Sequence, residues 1–140
     1  MIEINNTIKF TVDKKLFTGL AKKIIKGENK QIDLSVAFIA KDKMKEINKK
    51  YRKKNKATDV LSFESSEGFT NLNSRLSLGE VIICPDIVRE NAKKFGNTFK
   101  YELIKVFIHG VLHVLGYDHE KSKKEALKME EREKFYLSKI

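Results

Sequence analysis

Hydrophobic and polar residues alternate along this chain with two different periods, and the switches between them mark out its elements. Ile32, Leu34, Val36 and Phe38 alternate without a break, which predicts a strand with one buried face. Leu16, Phe17, Leu20, Ala21, Ile24 and Ile25 recur at helical spacing instead. They predict a helix with Asp13 as its N-cap and Gly27 as its stop. Ile2, Ile4, Ile8 and Phe10 alternate weakly, so residues 2–10 read as a strand or two short pieces. Asp42 starts a second helix, with Met44, Ile47 and Tyr51 on one side. Val60-Leu61-Ser62-Phe63 is a short strand, and residues 64–78, rich in Ser, Asn and Gly, read as a loop. The nearly continuous apolar run from Leu78 to Cys84 suits the interior of a sheet. Pro85 fits the first turn of a helix reaching about Lys94, and Gly96 ends it.

Two more helices follow. Thr98 is a candidate N-cap for a long helix whose apolar residues, from Leu103 to Leu115, surround most of its circumference, so it should be largely buried. Residues 122–138 form the last helix, opened by Ser122 and Glu125 at capping-box spacing. Ala126, Met129 and Tyr136 or Phe135 should face the core. This order predicts an α+β fold: a small mixed β-sheet of about four strands flanked by helices. The 140 residues fit a single domain, 1–140, with no repeat or linker.

Candidate chemistry is concentrated in one place. All three histidines fall within His109-Gly-Val-Leu-His113-Val-Leu-Gly-Tyr-Asp-His119. His109 and His113 are four residues apart, on one face of the central helix. Gly116 offers a left-handed stop, after which the chain can turn and bring His119 back toward them. Three converging imidazoles describe a site for one zinc ion per chain, with the fourth position left to water. Such a site lowers the pKa of bound water toward about 7 and supports hydrolysis of an ester, amide or phosphodiester. Imidazoles also accept nickel, copper or iron. Asp118 is either a partner for a ligand imidazole or a maker of the turn.

Charge narrows the substrate class. The chain carries 29 Lys+Arg against 19 Asp+Glu, a net charge of +10, a field that attracts polyanions. Only Arg52, Arg75, Arg89 and Arg132 among these are arginines. The densest basic patch is Lys49, Lys50, Lys53, Lys54 and Lys56. The single cysteine, Cys84, reads as a core residue and fits a reducing compartment. No signal pattern opens the chain and no apolar stretch approaches a membrane span, so the expectation is a cytoplasmic protein with no membrane partner.

The histidine spacing has the local geometry of the metzincin proteases, but Gly110 stands where their general-base glutamate follows the first histidine. That counts against peptide hydrolysis. A phosphodiester depends less on such a base and more on cations. The whole segment 109–119 resembles the signature of the YbeY family, bacterial zinc-dependent endoribonucleases of rRNA maturation. Asn48-Lys-Lys-Tyr51-Arg52-Lys-Lys54, Thr58-Asp59-Val60-Leu61-Ser62-Phe63 and Leu78-Gly79-Glu80-Val81-Ile82-Ile83-Cys84 resemble its other motifs. The chain departs from the pattern at Asn55, Ala57 and Glu64, where Asp, Pro and Pro are usual. The resemblance implies cleavage of single-stranded RNA, with roles in small-subunit rRNA 3′-end processing and ribosome quality control. It implies His109, His113 and His119 as metal ligands and Arg52 as the functional arginine. A guanidinium, which can grip a phosphate through two N–H groups, suits that role. Thr58 and Asp59 either orient Arg52 or cap a turn, and Asp59 joins Asp118 as a candidate outer partner of the site. The RNA and the small ribosomal subunit are the implied partners; the oligomeric state is open. The alternatives are another zinc metallohydrolase, or a non-enzymatic ribosome-binding zinc protein.

Overall fold

The computed structural model describes residues 1–64 and 77–140; most of the expected 64–78 loop, with Arg75, lies outside the described residues. Four strands, β1 (Ile2–Asn6), β2 (Ile32–Phe38), β3 (Val60–Glu64) and β4 (Ser77–Ile83), form one sheet in the order β1-β2-β4-β3. β1, β2 and β4 run parallel, and β3 pairs antiparallel with β4 at one edge. The helices are α1 (Lys14–Gly27), α2 (Lys41–Arg52), α3 (Pro85–Phe95), α4 (Phe99–Val114) and α5 (Lys123–Leu137). The mixed four-stranded α+β architecture matches expectation.

β4 is interior, and together with Cys84 just beyond it supplies both cores. Val81 and Ile83 join the main cluster with Val36, Phe38, Phe107 and Val111, while Ile82 and Cys84 join a smaller one with Ile39, Met44 and Leu61. That split follows the period-two geometry of a strand buried on both faces. α4 packs against β3, β4, α1, α3 and α5. It approaches the sheet closely at Gly110: an added Cβ there would meet Val81 Cγ1 at 2.8 Å and Val60 Cγ2 at 3.1 Å. Ser62 Oγ donates to the Gly110 carbonyl at 2.9 Å across the same seam.

Local signals set the boundaries. The Asp13, Thr98 and Ser122 side chains accept from Leu16, Tyr101 and Glu125 amides, as N-caps should. Gly96 and Gly116 both adopt positive φ. β1 stops at Asn6 rather than reaching Phe10, because the Asn6 side chain accepts from Ile8 N and turns the chain.

One expectation fails in α2. Tyr51 is 57% exposed, and the position facing inward beside Met44 belongs to Asn48, at 2%. The cause is the segment after the helix. Lys53 takes a left-handed conformation at φ 59°, and the chain folds back so that Asn48 Nδ2 donates to Lys56 O at 2.8 Å. A buried amide serves the returning backbone where an aromatic ring could not.

Candidate metal centre

α4 is held against the sheet by apolar contacts on most sides, and its C-terminal turn emerges at the edge strand β3. His109 and His113 both project from it. Beyond Val114 the chain turns at Gly116, whose φ of +111° a side chain would resist. The turn brings His119 back to the helix. Ring centres are 5.1 Å apart for His109–His119, 5.8 Å for His113–His119 and 6.2 Å for His109–His113. Three imidazoles on one tetrahedral ion, with bonds of roughly 2.0–2.1 Å, would set ring centres about 5 Å apart. The residues therefore fit a divalent metal.

Asp118 belongs to the same cluster. Ligating atoms of His113, Asp118 and His119 lie within 4.8 Å of one another, so these groups could hold a metal. The sequence offers Asp118 as a partner of a ligand imidazole or as a maker of the turn; here it also joins His113 and His119 in a group that could itself hold a metal. It also accepts from Glu120 N at 2.9 Å, so one carboxylate oxygen closes the turn. His109 stands next to this set and is oriented differently: its Nδ1 donates to Glu133 Oε1 at 2.5 Å. Because a carboxylate accepts only, that contact leaves His109 Nε2 with the lone pair a metal requires.

Glu133 was not anticipated from the sequence. Yet α5 buries Met129 and Tyr136, and Glu133 lies on the same stripe, four residues after one and three before the other. A carboxylate on a helix's inner stripe needs a partner, and that was the available signal.

A cleft of about 570 Å³ opens over the histidines. Arg52, Lys54, Lys56, Thr58, Asp59 and Ser62 line its other walls. Arg52 Nη2 donates to the Ser62 carbonyl on the free edge of β3 at 2.9 Å, and its guanidinium lies 5.2 Å from the Phe63 ring centre. Asp59 accepts from the Thr58 hydroxyl at 3.3 Å, and its own carbonyl accepts from Cys84 N, so these two residues shape the turn into β3. Cys84 itself is buried in the second core, apart from the histidines. A larger hollow of about 790 Å³, lined by Met1, Lys22, Lys26 and Lys30 among others, lacks any such set of ligating groups. Chemistry, not size, singles out the histidine cleft.

The turn bearing Asp118 and His119 is anchored from behind. Tyr117 OH donates to Glu28 Oε1 at 2.5 Å. Arg132 donates twice to Glu28 Oε2, at 2.6 and 3.0 Å, and Tyr136 OH donates to the same oxygen. Burial would raise the Glu28 pKa, but the bonds from Tyr117, Tyr136 and Arg132 outweigh it and hold the carboxyl below its usual 4.5. Tyr117 is pushed up to about 12, first by burial and then by Glu28.

Residues 3–140 match the family model described as Endoribonuclease YbeY. Among curated proteins, an Endoribonuclease YbeY from Thermotoga neapolitana is 39% identical over 130 residues, covering 91% of this chain and 82% of that one. Another so named, from Bdellovibrio bacteriovorus, is 44% identical over 108 residues, 77% of this chain and 67% of the relative. A solution structure of a Thermotoga maritima protein superposes with a TM-score of 0.65 at 38% identity, covering 98% of this chain and 87% of the other.

Proposed function

The chain belongs to the YbeY family, and from that premise we propose a metal-dependent endoribonuclease that cuts single-stranded RNA. In this proposal His109, His113 and His119 hold one zinc ion per chain, and Arg52 stabilises charge on the scissile phosphate. The observation that carries it is the meeting of three imidazoles with Arg52, Lys54 and Lys56 around one cleft. Small-subunit rRNA 3′-end maturation, ribosome quality control and a cytoplasmic location complete the reading, with residues 1–140 acting as one domain.

Each residue has a task that its surroundings support. The Glu133 contact occupies His109 Nδ1 and leaves Nε2 for a metal, with the His109 ring centre 6.2 Å from that of His113 and 5.1 Å from that of His119. The Tyr117–Glu28 bond holds the turn from which His119 projects. Bound among the histidines, the ion would supply a Lewis acid and a more acidic water. Arg52, steadied by the Ser62 carbonyl and the Phe63 ring, offers its remaining donors to a phosphate. Lys54 and Lys56 add positive charge that favours the substrate's backbone and the charge gathering on it.

Geometry counts against one alternative, and an experiment decides the other. A peptidase of the metzincin type would need a carboxylate at position 110, and that residue is a glycine sealed against Val81 and Val60. A structural zinc site would need a fourth protein ligand, and Asp118 is the residue at the right distance. Its bond to Glu120 N ties it to the turn. An exchangeable water on the bound metal therefore separates the catalytic reading from the structural one.

The test is to purify wild type and His113→Ala side by side, quantify bound metal, and incubate both with single-stranded RNA. About one zinc per chain and cleavage lost only in the variant is the expected result. Undiminished cleavage by His113→Ala in a nuclease-free preparation overturns the proposal.

A further inference from the structure

We propose that Tyr51 and Phe63 form a base-stacking platform beside the metal cleft, which holds a nucleobase of single-stranded RNA next to the scissile phosphate. The proposal rests on the endoribonuclease reading and deepens it by naming a subsite.

Tyr51 is where the hydrophobic pattern places a core residue, yet more than half of it is exposed. It is one of eight large hydrophobic side chains exposed among the described residues, and it does not stand alone. Its ring contacts Phe63 edge-to-face, with centres 5.4 Å apart and planes at 66°. Cations attend both rings: Lys50 Nζ lies 5.2 Å from the centre of Tyr51, and the Arg52 guanidinium lies 5.2 Å from that of Phe63. Phe63 is held from beneath by the smaller core, which keeps the pair in place.

The position matters as much as the composition. Tyr51 precedes Arg52 on α2, and Phe63 follows Ser62 on β3; Arg52 and Ser62 both line the metal cleft and are bonded to each other. The platform therefore adjoins the residue assigned to the phosphate. Lys50 lies by the Tyr51 ring, and Lys54 and Lys56 line the adjoining cleft, so the charge around the platform complements a polyanion. Aromatic faces flanked by cations bind unpaired bases without regard to sequence, because every base has a π-face. A base inside a duplex cannot stack on a side chain, so the platform selects single strands.

The experiment uses metal-depleted full-length protein, so that RNA is bound but not cut, and measures affinity for a fluorescent single-stranded RNA and a matched duplex by anisotropy. Tyr51→Leu keeps bulk without the ring and should weaken single-strand binding about 5- to 100-fold, while Tyr51→Phe stays near wild type. Duplex binding should change little in either. With metal restored, Tyr51→Leu should raise KM more than it lowers kcat. Phe63→Leu, on the second ring, should act in the same direction. Single-strand affinity unchanged in Tyr51→Leu, or equal loss for single strand and duplex, overturns the platform. The two readings fail separately. Cleavage by wild type with ring-independent binding removes only the platform; ring-dependent binding without cleavage of any RNA removes only the nuclease.

Discussion

His109 Nδ1 lies 2.5 Å from Glu133 Oε1, and this contact joins the first histidine of the cluster to a helix 24 residues further along the chain. The Glu133 side chain is only 16% exposed, so the bond is shielded from competing water. Partners of this kind fix ring orientation and raise the basicity of a ligating imidazole; their loss typically costs about 10- to 100-fold in metal affinity. Glu133→Ala should show a drop of that size in a zinc competition titration, and Glu133→Gln, which keeps an acceptor, a smaller one. Unchanged affinity in Glu133→Ala would show that the contact does not orient a ligand.

Arg52 separates binding from chemistry. Its guanidinium is held by the Ser62 carbonyl and the Phe63 ring, and neither contact involves a histidine of the cluster. Arg52→Lys keeps the charge but loses the planar fork. Turnover of single-stranded RNA should fall on the order of 10- to 100-fold with metal content unchanged. Parallel loss of both would make Arg52 a structural residue.

The histidines, Gly116 and every helix cap discussed above were legible because each is a local signal: a spacing, a breaker, a side chain beside its own amides. The sheet was legible from uninterrupted alternation in β2 and from the apolar run of β4. What escaped depends on contacts between distant segments. Glu133 meets His109 only because α5 packs on α4. Asn48 displaces Tyr51 from the inner face because the chain after α2 returns to it. Glu28 looks like an ordinary residue after a helix, yet it gathers Tyr117, Arg132 and Tyr136 from far along the sequence.

Gly110 tests whether the seam between α4 and the sheet tolerates any side chain. An added methyl would press on Val81 and Val60, both held in the sheet. Overpacking costs about 1–3 kcal/mol, and the better helix propensity of alanine offsets at most about 1. Gly110→Ala should therefore lower stability by roughly 1–2 kcal/mol in urea unfolding. Gly110→Glu, which completes the protease-like motif on paper, must bury a charge in the same seam and should fail to fold rather than gain peptidase activity. A folded Gly110→Glu protein would show that the seam opens easily.

Glu28 makes the anchoring of the metal turn depend on pH. Its side chain is 7% exposed, and its carboxyl is held below the usual 4.5 despite burial, because Tyr117, Tyr136 and Arg132 all donate to it. A group whose pKa is depressed by folding contributes stability above its unfolded value and loses it as pH falls through the folded one. The melting temperature of wild type should thus decline on the acid side of about pH 4.5 more steeply than that of Glu28→Gln. At neutral pH Glu28→Gln should be less stable, on the order of 2–3 kcal/mol, since it weakens hydrogen bonds made to a charged acceptor. Because Tyr117 adjoins Asp118 and His119, the same variant should also bind zinc more weakly at neutral pH than wild type. Parallel acid-side melting curves for the two proteins, read on metal-free samples, would show that the Glu28 cluster does not stabilise the fold through its charge.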